Sequence, residues 1–413
     1  MKDVFIPGDI LLPRDADMER WSVIACDQFT SQPEYWAEVE GLVGNAPSTL
    51  RLMLPEAYLD LPDKAERCRS ILNAMEDYLS TGLFRTLKDS YIYVERTLSG
   101  GGLRRGILGL LDLEAYDYRE ESTSLVHATE GLVQERIPPR LALRRDAPLE
   151  STHLVLFYDD PDLRVPALAA QLAGEALYDF TLMLGGGHIR GFPITGEKAN
   201  ALRSVLNRMA DPEVLRAKFG DTASPVLYAV GDGNHSLATA KQSWERIREG
   251  LTPEQRERHP ARYTLAELVD LHEPAMEFEP IHRVLFQTDA AAFSREAEAR
   301  FPAADGEHPF VCMTASGART LYARGTIGES IAALDAFLLE YASRYGGRID
   351  YIHGLEDAKA LCAAPDRAAI LMPEMDKRDL FPSIVKSGPL PKKSFSIGPA
   401  LDKRYYLECR KIV

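Results

Sequence analysis

The chain is 413 residues long, with 48 Lys and Arg against 62 Asp and Glu and a formal net charge of −14. At roughly 100–200 residues per domain this length predicts two or three domains, and an apolar fraction of 45 % beside 27 % charged residues excludes wholesale disorder. The acidic balance argues against a dedicated nucleic-acid binder, which needs clustered Lys and Arg to neutralise phosphates, but leaves room for a small phosphate-rich ligand in one local pocket.

Met1–Pro13 carries one Lys and a short apolar patch at Ile10–Leu12, too short for the core of a signal peptide. No run approaches the roughly 18 apolar residues of a membrane span. The five cysteines, Cys26, Cys68, Cys312, Cys362 and Cys409, are odd in number and contain no Cys-x-x-Cys pair. Reduced thiols in the cytoplasm are the expectation, with neither zinc nor haem.

In chain order, Ser31-Gln32-Pro33-Glu34 predicts a capping box, Ser31 accepting from the amide of Glu34 and Glu34 reaching back. Trp36, Val39 and Leu42–Val43 follow on one helical face. Ser70–Leu83 reads as a second helix. Tyr91–Val94 and Gly106–Leu111 read as strands of a hairpin closed by Ser99-Gly100-Gly101-Gly102. His153–Tyr158 is a buried strand, Pro166–Tyr178 helical, Gly185-Gly186-Gly187-His188 a glycine turn and Ala199–Met209 helical again. Val226–Val230 is a short apolar run broken by Gly231-Asp232-Gly233-Asn234, after which Leu237, Ala240, Trp244 and Ile247 repeat at helical spacing. In the last third, Phe310–Met313, Leu321–Ala323, Ile349–His353, Ala369–Met372 and Tyr405–Leu407 suggest strands around a long amphipathic helix marked by Ile331, Leu334, Leu338 and Tyr341. The mixture predicts an α+β (mixed α/β) fold. The expected domains are 1–290, with a further dividing point near 150–160, and 291–413.

The segment Gly231 to Ser236 carries the most chemistry. Its order of strand, glycine turn and helix N-terminus aims unpaired main-chain N–H groups and the positive helix end at the turn, a setting that favours an anion. Asn234 is a suitable N-cap. His235 and Ser236 then fall in the first turn, within reach of a phosphate oxygen. A carboxylate beside a bound phosphate is repulsive unless a proton or metal lies between, so Asp232 points to Mg²⁺ binding or acid–base work. The plainer alternative is turn chemistry with a capped helix and a locally bonded His235. Two further features stand beside this loop. Gly185 to Arg190 is a turn in which Arg190 could assist an anion, and His272, Glu273, Glu277, Glu279 and His282 are potential metal ligands at a spacing that matches no zinc motif.

Val230-Gly231-Asp232-Gly233-Asn234-His235-Ser236-Leu237-Ala238-Thr239-Ala240 resembles the Asp-Gly-His-His-Arg-Tyr signature of the domain-of-unknown-function family 1015. The stretches Cys26-Asp27 to Tyr35, Ala128-Thr129-Glu130 to Glu135-Arg136, Pro280 to Leu285 and Leu390 to Ser394 are also similar to segments of that family. Asn234 stands where the signature has its first His and Ser236 where it has Arg, a residue that would clamp phosphate with two parallel hydrogen bonds. The resemblance reaches distantly to ParB-like and sulfiredoxin-like proteins, including archaeal ADP-dependent serine kinases. It implies a ParB/sulfiredoxin-like central unit with flanking α/β segments, and a nucleotide or phosphate site.

The resulting expectation is a nucleotide- or phosphate-binding protein acting as a small-molecule phosphotransferase, using ATP or ADP with Mg²⁺. His235 would donate to the transferring oxygen, Asp232 would hold the metal and Glu130 would serve as base. Gly233, Asn234, Ser236, Asp27, Arg136 and Arg140 would line the ligand site, the last two arginines compensating for Ser236. The alternative is a non-catalytic metabolite sensor or scaffold using the same cleft, which the missing Arg favours.

Overall fold

A computed structural model describes residues 3–59, 61–119, 122–132, 137–222, 224–302 and 308–413. The fold is mixed α+β and divides into two units. The first comprises Met1–Ala128, Leu132–Met276 and Pro399–Val413; the second comprises Thr129–Gly131 and Glu277–Gly398.

The first unit is built on a long mixed sheet. The strand Tyr228–Asp232 lies between Val126–Ala128, to which it is parallel, and Val155–Tyr158, to which it is antiparallel. Beyond Val155–Tyr158 come Tyr263–Asp270, the hairpin Leu103–Asp112 and Phe84–Thr97, then Gly8–Pro13, Cys409–Lys411 and Leu149–Ser151. The expected hairpin forms, with Ile92 opposite Leu108 and Val94 opposite Gly106. Because side chains alternate across a strand, Ile92, Val94 and Leu108 join one core with Trp21, Trp36 and Met75. Tyr91, Tyr93 and Ile107 join the other, with Leu156, Leu202, Leu237 and Trp244. Both faces of the sheet are therefore covered, which is why these strands read as nearly continuous apolar runs.

The last fifteen residues of the first unit arrive from the far end of the chain. Tyr405 and Tyr406 pair with Ile24 and Val23, Trp21 Nε1 donates to the Leu407 carbonyl at 2.8 Å and Ser22 Oγ to the Tyr406 carbonyl at 2.9 Å. The expected division at 290/291 thus differs from the observed one on two counts. Phe278–Phe286 pairs with Arg348–His353 and Arg367–Leu371 of the second sheet, which places the main crossing at Met276/Glu277, and Pro399–Val413 returns to the first unit.

The second unit orders Gly317–Ala323, His308–Thr314, Arg367–Leu371, Phe278–Phe286 and Arg348–His353 into a sheet. Its helix Ile327–Tyr345 begins with a capping box between Thr326 and Glu329. The box expected at Ser31 does not form. The helix begins at Pro33 with Gln32 as a cap lacking any side-chain hydrogen bond, since proline is preorganised for the first helical position and has no N–H to satisfy there. Trp36, Val39 and Val43 are buried on that helix, whereas Leu42 faces outward and is 43 % exposed.

Candidate functional site

The strand–turn–helix order expected around residues 228–249 is present, with one change at its centre. The strand runs Tyr228–Asp232, the helix Asn234–Glu249, and the cap is Gly233 rather than Asn234. Gly233 sits at φ +85°, a left-handed conformation that costs little without a Cβ. A Cβ there would also lie 3.2 Å from Leu154 Cα and 3.5 Å from His153 Nε2. Asn234 is therefore the first helical residue, and no side chain caps the helix. We expect Gly233→Ala to lose roughly 1–2 kcal/mol of unfolding free energy in urea titration; a loss below a few tenths would contradict the strained geometry.

The side chains of the bend sit in an electrically unusual place. Asp232 Oδ1 accepts from the Gly233 N–H at 2.8 Å. Asp232 Oδ2 and Asn234 Oδ1 are buried and have no hydrogen-bond partner among the described residues. Lys403 Nζ stands 4.0 Å from Asp232 Oδ2, with both side chains about five-sixths buried. Burial raises the Asp232 carboxyl above its ordinary range against the pull of Lys403, and nearby Asp27 adds to the rise. Asp27 moves the other way. Burial alone would raise it, but His153, the Gln28 amide, Lys403 and Arg140 hold it low. Two neighbouring carboxyls are thus pushed apart, one towards the protonated form and one towards the ionised form.

A cavity of about 170 Å³ opens beside this bend. Ser236 and Thr239 of the helix reach its wall with His153, Tyr406, Cys26 and Arg140, while Leu52, Met53, Leu59, Met75 and Leu143 supply an apolar side. The Tyr406 hydroxyl lies 2.7 Å from His153 Nδ1 and donates to Cys26 Sγ at 3.1 Å. Burial and the nearby Asp27 push the Cys26 thiol up to about 11, which disfavours the thiolate at neutral pH. The folded protein should accordingly leave Cys26 unlabelled by a thiol reagent at pH 7, and peptide mapping should find it labelled only after denaturation.

Of the residues singled out in the sequence, Asp27, Asp232, Gly233, Asn234, His235, Ser236 and Arg140 all belong to the first unit. Arg140 lines the cavity and is ion-paired with Glu56. The His235 carbonyl accepts from Thr239 Oγ1 at 2.7 Å. Glu130 belongs to the second unit, where its carboxylate accepts from the N–H groups of Lys393 at 3.3 Å and Ser394 at 3.2 Å. Arg136 lies outside the described residues.

The other candidates have local partners. Arg190 pairs with Asp179 at 3.1 Å and Glu95 at 3.2 Å, and the Gly186 carbonyl accepts from Arg96 at 2.9 Å. Arg105 holds Glu273 at 2.8 Å, the His272 imidazole bonds Asp159, and His282 accepts the Met372 N–H. Among the described residues no three His, Cys, Asp or Glu side chains are placed to hold a metal ion, and the Asp232 carboxylate has a lysine beside it rather than further ligands. The protein groups do not by themselves form a cation cage.

Three residues of this site had no local signal in the sequence: His153, Lys403 and Tyr406. His153 precedes an apolar strand. The other two lie in a run where charges interrupt apolar residues, Lys403-Arg404-Tyr405-Tyr406-Leu407-Glu408, a pattern that signals buried ion pairs rather than a ligand.

No helix among the described residues is long and apolar enough to cross a membrane. None of the curated proteins matches the sequence. Among solved structures, a conserved hypothetical protein from Pyrococcus furiosus aligns at 10 % identity and a TM-score of 0.32, covering 72 % of this chain and 90 % of that one. SbnI with a C-terminal truncation, from Staphylococcus aureus, aligns at 9 % identity and 0.36, covering 70 % and 82 %. A free serine kinase in complex with AMP aligns at 10 % identity and 0.37, covering 72 % and 90 %. The match that identifies the chain is at the level of sequence: the model of the family described as Protein of unknown function (DUF1015) covers residues 10–337, and the chain belongs to that family.

Proposed function

We propose that the first unit binds a small phosphorylated ligand of the nucleotide class at the start of the helix Asn234–Glu249. The observation that carries this reading is the coincidence of an uncapped helix N-terminus with a cavity wall, joined at Ser236. Main-chain N–H groups and the helix dipole supply attraction for a phosphate. The apolar side formed by Leu52, Met53 and Met75 suits a base or other ring.

The reaction class this arrangement supports best is phosphoryl transfer to a small molecule. Such transfer asks a protein mainly for positioning and charge neutralisation. The Asp232 and Asp27 carboxyls, shifted in opposite directions by their surroundings, are the two groups beside the bend able to take the proton of an acceptor hydroxyl. His235, in the first turn, is the donor towards a phosphate oxygen. Any Mg²⁺ would arrive bound to the phosphates rather than to a protein cage. A second reading, a non-catalytic metabolite sensor, is favoured by one residue. Ser236 occupies the helix position from which an arginine would have clamped the phosphate, and serine cannot do so.

Thermal unfolding with millimolar ADP and ATP, with and without Mg²⁺, tests the binding. A ligand at a hundredfold its dissociation constant should stabilise by about 2.7 kcal/mol, and His235→Ala should reduce the shift. No shift with any of these ligands would sink the proposal. A shift accompanied by nucleotide turnover in a pool of hydroxyl and amine metabolites would select the transferase, and a shift without turnover the sensor.

A further inference from the structure

The site described above has a cation that its own loop does not supply, and that cation comes from the C-terminal segment. Lys403 Nζ makes no hydrogen bond among the described residues. Its charged neighbour is the Asp232 carboxylate at 4.0 Å, beyond hydrogen-bond reach, and Asp232 Oδ2 is left without a donor. A surface pair at that distance would be unremarkable, because water would complete both shells. Here both side chains are about five-sixths buried. The contact is electrically paired but not bonded, which is the state of a lysine that can turn to another oxygen at little cost on its flexible four-carbon stem.

The main chain around Lys403, in contrast, is held tightly. Arg96, 1 % exposed, donates to the carbonyls of Lys403 and Leu401. Arg104 donates to the Asp402 carbonyl at 2.9 Å, and Asp402 Oδ1 accepts the Ser99 N–H at 2.7 Å. Arg404 is locked between Glu267 at 2.7 Å and Glu408 at 2.6 Å, and its carbonyl accepts the Ala25 N–H at 3.1 Å. Burying three guanidinium groups is a poor way to gain stability, because desolvation offsets most of the attraction. It is an effective way to set a position.

The charge inventory narrows the purpose. Around the bend, Asp27 and Asp232 bring two carboxyls, and the cavity wall offers neutral Ser236, Thr239 and Tyr406. The arginines of that wall have acidic partners: Arg140 pairs with Glu56, and Arg144 with Glu150 at 2.5 Å. An anion entering beside two carboxyls needs a compensating cation. Lys403 is the candidate that stands next to the bend without a bonded partner.

We infer that Lys403 is a ligand-binding residue of this site, resting against Asp232 when the site is empty and turning to the ligand's phosphate when it is filled. The inference builds on the proposed function and extends it to a residue beyond the 10–337 family match. It also assigns a purpose to the clamped C-terminal segment.

The experiment is calorimetric titration of wild type, Lys403→Met and Lys403→Arg with ADP and with adenosine, at low and at raised salt, circular dichroism confirming that each variant is folded. We expect Lys403→Met to weaken ADP by about tenfold or more, to flatten its salt dependence and to leave adenosine unchanged, with Lys403→Arg close to wild type. A parallel measurement needs no variant: ADP should protect Lys403 of the wild-type protein from reductive methylation, read by peptide mass spectrometry. If wild type binds ADP but Lys403→Met binds it within twofold, or loses adenosine equally, or if ADP gives no protection, this inference falls and the proposed function stands. If wild type binds neither ADP nor adenosine, both fall together.

Discussion

Arg404→Met should cost about 3–5 kcal/mol of unfolding free energy, a large share of the stability of an ordinary domain. Arg404 is 3 % exposed and bridges Glu267 and Glu408, which are 2 % and 0 % exposed. Removing the guanidinium leaves two carboxylates in a site where neither can reach water, and among the described residues Glu408 keeps the Tyr178 hydroxyl at 2.5 Å as its side-chain donor. The loss comes less from attraction forgone than from charge left stranded. It follows that replacing all three, Arg404→Met with Glu267→Gln and Glu408→Gln, should recover a substantial part of it. Urea unfolding followed by tryptophan fluorescence measures both. A single-variant loss under 1 kcal/mol, or a triple variant weaker than the single, would show that the network is not the stranded-charge system described.

Asp270→Asn should stabilise the protein at pH 8 and do little at pH 4. Asp270 ends the strand Tyr263–Asp270 and is fully buried. Its Oδ1 accepts the His272 N–H at 2.9 Å, while Oδ2 has no hydrogen-bond partner among the described residues. Burial first, with Asp160 and Glu273 adding to it, pushes the carboxyl up to about 7. The unfolded value is about 3.9. A folded-state pKa above the unfolded one means that folding is favoured while the group is protonated; that contribution is complete below about pH 4 and is lost as pH rises through about 7. At pH 8 the folded protein carries a charge it would rather not have, at a cost on the order of 4 kcal/mol. Asparagine keeps the acceptor for His272 and cannot ionise, so the variant's advantage should grow between pH 5 and pH 8. An equal shift at both ends of that range would refute the assignment.

Local pattern carried much of the fold and half of the candidate site. The hairpin was legible because Tyr91–Val94 and Gly106–Leu111 are short apolar runs on either side of Ser99–Gly102, a segment that can only turn. The bend at residues 231–236 was legible because glycine, a short apolar run and a 3.6-residue repeat occur in the order that strand, turn and helix require. The cap was misplaced by one residue because Asn234 has a good capping side chain, yet the turn demanded a left-handed conformation that Gly233 meets more cheaply. The Ser31 box was outcompeted by Pro33 for a similar reason of backbone preference.

What was not legible is everything that depends on distant pairing. His153 is brought to Tyr406 across 253 residues of sequence, and Lys403 to Asp232 across a whole intervening unit. No periodicity encodes such meetings; they follow from which strand ends share a sheet. Glu130 illustrates the converse. Its candidacy as base came from the family resemblance alone, and its bridge to Leu390 groups it with the second unit.

The return of Pro399–Val413 to the first unit has a consequence for how the molecule is made. On a ribosome, Trp21, Ser22 and Thr49 emerge early, yet the carbonyls they hold, those of Leu407 and Tyr406, are polymerised after the entire second unit. The earlier-born unit therefore waits, with the Trp21 indole N–H lacking its Leu407 acceptor, while the later-born one is free to fold first. Contacts closing loops of 384 and 386 residues are slow to form. A nascent chain stalled before residue 399 should engage holdase chaperones through the waiting surface around Trp21, and release from them should coincide with synthesis of the final strand.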